Sequence, residues 1–359
     1  MELASVRLLE QNYMSTFAIV LLLAVIVIAA AVALFRAWSA GITNLPMGRF
    51  VDVDGVRLHY VERGSGPTLL LLHGNGSMIQ DFDTSGLIET LAARYHTIVF
   101  DRPGYGHSTR PRGRTWTPRA QAELIHKALQ QLGIERPMVV GHSWGTLVAL
   151  ELALLYPAEI KSLVLLSGYY FPTLRPDVPM LAAPAIPVIG DVYRYTLGPL
   201  VARLLWPIML RIIFGPANPP PRFNDGFPKW MAFRPKQLRA SAAESGLLIP
   251  SAAALRDRYE EIRIPVFIVA GTKDRFVRAK RHSARLHSKI AQSDLRLLPE
   301  VGHMIHHVAT RAVVAVIDAA AKVAHVTPPK GAKPSPPERR PKKGKHAADR
   351  HGHQPHPGR

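Results

Sequence analysis

The 359 residues include no cysteine, which removes disulfides, thiolate catalysis and cysteine-ligated zinc together. The redox compartment is left open by the same absence. Acidic residues are scarce: 26 Asp and Glu stand against 45 Lys and Arg, a formal net charge of +19. An excess of that size suggests nucleic acid or an anionic surface as partner, but its distribution argues against nucleic acid. From Lys322 to the end, ten basic residues face two acids, Glu338 and Asp349, in a stretch rich in Pro and Gly. Elsewhere the positive charge is spread, with no block dense enough for a phosphate-binding face. Five histidines from His325 onward follow no metal-site spacing, so neither a metal nor another cofactor is expected. No internal repeat is visible.

Charge is missing altogether from Gln11 to Phe35, and Phe17 to Phe35 is an almost unbroken apolar run. As a helix, that run is long enough to cross a hydrocarbon layer of roughly 30 Å. Arg36 and Trp38 follow where a snorkelling cation and an interfacial indole belong. A cleaved signal peptide has a shorter apolar core and a stronger basic start, whereas here Arg7 is offset by Glu2 and Glu10. Segment 1–45 is therefore expected to carry an uncleaved membrane anchor at about 16–35. Arg7 before the span nearly balances Arg36 and Arg49 after it. The basic tail suits an anionic cytoplasmic leaflet, which favours the cytoplasmic face over a periplasmic or extracellular one.

Residues 46–325 read as one globular domain. Phe50–Val53 and Val56–Val61 alternate around Asp54-Gly55, a strong hairpin signal. Thr68–Leu72, Thr97–Phe100, Met138–Val140, Ser162–Leu166 and Val266–Val269 are short apolar runs, as doubly buried strands read. Helical patterns such as Arg119–Leu132 and Thr146–Leu155 separate them. The alternation implies an α/β domain, a mostly parallel sheet flanked by helices. It stops between about 168 and 262, a proline-rich stretch that reads as a cap of short helices inserted before a later strand. Within it, residues 199–214 are too polar for a second span, given Arg203, Arg211 and an internal Pro207. Segment 326–359 is low in apolar residues and is expected to stay disordered.

The segment that carries chemistry is Gly141-His142-Ser143-Trp144-Gly145, between an apolar strand and an apolar helix. G-x-S-x-G by itself is a weak pattern; the strand–turn–helix setting makes it a strong one. Side chains at 141 and 145 would clash in so sharp a turn, and the turn exposes the Ser143 hydroxyl at the positive end of a helix. A serine nucleophile needs a base and an orienting acid. Asp274 lies just past the strand starting at Pro265, and His303 follows the short strand Leu295–Leu298. They occur in the order Ser, Asp, His that such a sheet enzyme uses. His306 and His307 compete for the base but sit inside the next helix, as packing or surface residues. An oxyanion needs two backbone donors. The amide of Trp144 is one candidate; the other is Asn75, in the loop His73-Gly74-Asn75-Gly76 after a strand.

These landmarks, with His73-Gly74, the run Asp101-Arg102-Pro103-Gly104-Tyr105-Gly106-His107-Ser108 and Gly302-His303, resemble the α/β-hydrolase superfamily. The resemblance spans about Phe50 to Ala324. It lies with the capped branch that includes esterases, epoxide hydrolases and haloalkane dehalogenases. It implies an α/β-hydrolase fold with Ser143, Asp274 and His303 as catalytic residues and structural roles for Arg102 and Tyr105. Epoxide hydrolases and dehalogenases carry aspartate at the elbow, so Ser143 implies acyl chemistry: hydrolysis of a carboxylic ester, thioester or lactone. Trp144 and Asn75 echo the dehalogenase halide site, which is read as shared ancestry. Apolar cap residues (Tyr169, Tyr170, Phe171, Leu204, Leu205, Trp206 and Phe214) near an anchor suggest a lipophilic small-molecule ester, although any of them can simply pack the cap. The alternatives are a catalytically silent binding module of this fold or a membrane adaptor acting through its basic tail.

Overall fold

The structure, a computed structural model, describes residues 2–324; the expected disordered tail, 326–359, lies outside the described residues. Eight strands form one sheet in the order β1-β2-β4-β3-β5-β6-β7-β8. They are β1 (Arg49–Val53), β2 (Val56–Arg63), β3 (Thr68–Leu72), β4 (His96–Phe100), β5 (Met138–His142), β6 (Ser162–Leu166), β7 (Val266–Gly271) and β8 (Ser293–Leu298). β1 and β2 form the expected hairpin, and β2 meets β4 antiparallel. From β4 to β8 every pairing is parallel.

Helix α1 (Glu2–Thr43) precedes the sheet, α2 (Ile79–Thr84) and α3 (Leu87–Ala92) join β3 to β4, and α4 (Pro118–Gln131) leads to β5. Then α5 (Trp144–Leu155) joins β5 to β6. After β6 the chain leaves the sheet and builds α6 (Val178–Ala182), α7 (Ile189–Arg194), α8 (Gly198–Phe214), α9 (Pro221–Gly226), α10 (Lys229–Ala232) and α11 (Pro235–Leu255). It returns through β7, α12 (Ser283–His287), β8, α13 (Ile305–Val308) and α14 (Thr310–Ala324).

Strand periodicity explains the two cores. Leu70, Leu72, Val139, Leu163 and Leu165 point to one face, against α4 and α5. Leu69, Leu71, Val140, Val164 and Leu166 point to the other, against α3 and α14. Because both faces are covered, these strands read as continuous apolar runs. The stretch between β6 and β7 departs from a set of short helices. The α8 helix runs 17 residues and α11 runs 21, each with an internal proline, Pro207 and Pro250. The α1 helix is also longer than the apolar run within it, and Tyr13–Thr43 is long and apolar enough to cross a membrane.

Candidate active site

Ser143 sits at a sharp corner of the chain. Its φ of 50° and ψ of −117° place it outside the regions an L-residue favours, between the end of β5 and the start of α5. The glycines on either side make this possible. A Cβ at Gly141 would lie 2.7 Å from the Gly145 carbonyl oxygen, and one at Gly145 would lie 2.1 Å from that of Leu72. The Ser143 amide donates to the Leu166 carbonyl (2.9 Å), while Thr146 returns two hydrogen bonds to the Ser143 carbonyl. The strain, on the order of 1–3 kcal/mol for such a residue, is held by this surrounding packing.

The structure brings together the three residues that the sequence spaced 131 and 29 positions apart. His303 Nε2 lies 3.0 Å from Ser143 Oγ, and His303 Nδ1 lies 2.7 Å from Asp274 Oδ2. Asp274 cannot swing, because its other oxygen accepts from the amides of Phe276 (2.9 Å) and Val277 (2.7 Å). With Asp274 accepting at Nδ1, that nitrogen carries the proton and Nε2 is free to accept from the serine. The His303 backbone is fixed from the cap: its amide and that of Met304 both donate to the Ile213 carbonyl, at 3.0 and 3.2 Å. All three side chains lie at the carboxyl edge of the parallel strands, where an open α/β sheet forms its sites.

Asn75 lies in the loop that follows β3, and this loop passes directly over Ser143. A Cβ on Gly74 would stand 3.2 Å from Ser143 Cβ. The Asn75 side chain is engaged elsewhere. Its Nδ2 donates to the Ser241 carbonyl and to Ser245 Oγ, both at 3.1 Å, and its Oδ1 accepts from the Tyr105 hydroxyl at 2.8 Å. Only its backbone amide is thus available to a reacting oxygen. Trp144 opens α5; its indole nitrogen is buried with no hydrogen-bond partner.

Sequence reasoning missed what holds that loop. Arg102 is fully buried, and donates from Nε to the His73 carbonyl (2.8 Å) and from Nη2 to the Gly74 carbonyl (2.9 Å). The same guanidinium forms a two-pronged ion pair with Glu244 of α11, at 2.5 and 3.0 Å. Gln121 and the Tyr105 hydroxyl complete the shell around that carboxylate, at 2.9 and 2.7 Å. Burial pushes the Glu244 carboxyl up, but Arg102 and its neighbours win and hold it below its ordinary range. Burial, aided by the Arg102 charge, also drives His73 down to about 4, so its neutral ring accepts the Arg102 amide at Nε2. Nothing local in the sequence announces Glu244, since its partner is 142 residues away.

His306 and His307 are buried rather than exposed, and they do more than pack. His307 Nε2 lies 2.8 Å and His306 Nε2 3.2 Å from Asp81 Oδ1. Burial raises the Asp81 carboxyl, yet the two histidines hold it well below the usual range. Asp81, His142 and His306 are the described residues that could hold a metal, with ligand atoms within 4.8 Å of one another. His307 engages Asp81 Oδ1, while Asp81 Oδ2 is buried without a hydrogen-bond partner. His142 is kept neutral chiefly by burial and lies against the His303 carbonyl at 3.2 Å.

The family model for the α/β-hydrolase fold matches residues 67–310. The chain belongs to the α/β-hydrolase fold family. As an α/β-hydrolase, it is an enzyme of the hydrolase type, with hydrolases among its relatives. An uncharacterized protein of Mycobacterium tuberculosis is 29% identical over 280 residues, which cover 73% of this chain and 77% of the relative. Epoxide hydrolase 3 of Siraitia grosvenorii is 33% identical over 132 residues, 36% of this chain and 41% of its own. Among solved structures, a bacterial membrane phospholipase A is similar at a TM-score of 0.62 and 20% identity, over 88% of this chain and 100% of that one.

Proposed function

We propose that this α/β-hydrolase is a membrane-anchored serine hydrolase that cleaves the carboxylic ester, thioester or lactone of a lipophilic small molecule. The observation that carries the reading is the continuous hydrogen-bonded line from Ser143 Oγ through His303 to Asp274. Ser143 Oγ attacks the acyl carbonyl carbon while His303 Nε2 takes the hydroxyl proton. The carbonyl oxygen becomes an oxyanion, met by the backbone amides of Trp144 and Asn75. Asp274 stabilises the imidazolium, which then gives its proton to the leaving alcohol or thiol. Water, deprotonated by the same histidine, hydrolyses the acyl-serine and frees the acid.

Serine at the elbow separates this chemistry from that of an epoxide hydrolase, whose aspartate attacks an alkyl carbon. Anchoring rests on α1, and the likeness to a membrane phospholipase A agrees with a lipid-like ester. Of the apolar residues first considered for the acyl group, Tyr170, Phe171 and Phe214 are buried in packing, and Leu204 and Leu205 face outward. The basic tail favours placing the domain on the cytoplasmic side; protease access in oriented vesicles distinguishes this from the opposite topology.

A fluorophosphonate probe tests the nucleophile. The full chain should label, and Ser143→Ala and His303→Ala should not. Equal labelling of Ser143→Ala would overturn the assignment. An ester series of rising acyl length tests the substrate class, and a preference for acetyl over octanoyl would count against a lipophilic acid.

A further inference from the structure

We propose that the outer face of the cap, formed by α7 and α8, is itself embedded in the leaflet that α1 enters. This rests on the reading of α1 as an anchor. The argument begins with depth. Phe17 to Phe35 is nineteen residues, about 29 Å of helix, which matches a hydrocarbon layer of about 30 Å. Arg36 then marks the interface, where its guanidinium sits 5.8 Å above the Trp230 ring of α10.

The helix docks on the cap before it leaves the apolar run. It packs on α8 and α10, and a stripe of alanines (Ala30, Ala33, Ala37 and Ala40) is buried in that contact. Arg36 and Gly41 meet Trp230 and Arg234, in and beside α10, which leaves Ala30 and Ala33 to α8. Ala30 precedes Arg36 by six residues, about 9 Å along the axis. Whatever covers Ala30 therefore lies about 9 Å inside the interface, the depth at which interfacial helices rest.

The chemistry of the cap surface fits that depth. On α8, Leu204, Leu205 and Ile208 are exposed, at 65%, 49% and 55%. On α7 and just before it, Val188, Ile189 and Val192 are exposed at 72%, 71% and 63%. In water such a patch is a liability; α8, which carries part of it, packs on α1, whose own apolar residues are bare, and that adjacency names the bilayer as its occupant. The α8 helix has no acidic residue, and its Arg203 and Arg211 project from the exposed side next to the leucine flank. There they can snorkel to phosphates while the leucines enter the acyl region. Asp191 on α7 is neutralised by Arg112 and Arg194. The inner end of the same α8 accepts the His303 amide through Ile213, so the embedded helix reaches the active site.

The absence of cysteine makes the test direct. Single variants Leu21→Cys, Val192→Cys, Leu205→Cys and Asp54→Cys of the full chain are labelled with a fluorophore in nanodiscs of phosphatidylcholine and phosphatidylglycerol. Nitroxides carried on phosphatidylcholine acyl chains are the lipid-side quencher, and iodide is the aqueous one. The expected result is several-fold stronger lipid-side quenching at 21, 192 and 205 than at 54, with 205 answering best to a nitroxide near the headgroup. Quenching by lipid at 21 but by iodide alone at 192 and 205 overturns the embedded cap and leaves the anchor standing. Labels at 192 and 205 shielded from both quenchers mean that protein, such as a second copy, covers the face, which also overturns it. Absence of lipid quenching at 21 removes the anchor and this proposal with it.

Discussion

Helices α11 and α8 belong to the same cap and follow opposite rules. The α11 helix faces the sheet with polar groups: Glu244 pairs with buried Arg102, and Ser241 and Ser245 bind the Asn75 side chain. The α8 helix turns Leu204, Leu205 and Ile208 outward. A buried charge must find its partner at close range, so α11 fixes the loop over Ser143 in one register. An exposed leucine specifies nothing about its neighbour, so the outer face is free to meet a fluid one. Position is set on the inner side of the cap, and environment on the outer.

The comparison can be broken from either side. The largest effect belongs to Ser143, the proposed nucleophile: Ser143→Ala should lower turnover of a p-nitrophenyl ester by roughly 10³ to 10⁶. That loss should occur in detergent and in vesicles alike. Next, Glu244→Ala leaves Arg102 buried and unpaired, and should cost about 3–5 kcal/mol in urea unfolding. If it unfolds no more readily than the parent, α11 does not hold the loop in the way described.

Acid should act on the same inner groups. Asp81 and Glu244 have folded-state values below their ordinary ones, so at falling pH the unfolded chain takes up protons first. Their contribution is present above the unfolded carboxylate range near 4 and is lost as pH falls below it towards the folded values. The buried neutral His73, lowered from 6.5 to about 4, adds a loss that begins already near pH 6.5. Asp81→Asn should flatten the carboxylate loss in thermal melts, whereas Val192→Ser should leave its shape alone. The smallest effect on folding comes from the outer face, where Val192→Ser and Ile208→Ser should each change stability in detergent by less than about 0.5 kcal/mol. Together they should still slow hydrolysis of a long-chain ester held in vesicles relative to a water-soluble one. Equal loss on both substrates would mean that the face shapes the site and not its access to lipid.

Much of the site was legible because its chemistry is local. Ser143 announces itself through two glycines and a strand–helix junction, and Asp274 and His303 each follow the end of a strand. Structural roles for Arg102 and Tyr105 came from the family resemblance, which did not name their partner. Glu244 lies mid-helix with no motif around it, and only folding brings it within 2.5 Å of Arg102. His306 and His307 looked like helix residues of no special charge environment until the fold set Asp81 beside them.

The sequence by itself determined the fold class, the elbow, the order of the three candidate catalytic residues and an apolar helix able to span a bilayer. All of these are periodicities or short-range constraints, which the chain carries in neighbouring residues. Tertiary structure decided which partner each buried charge meets, which cap residues pack inward and which stay bare, and how deep along α1 the cap is docked. Those depend on contacts between segments distant in sequence, and no local pattern encodes them.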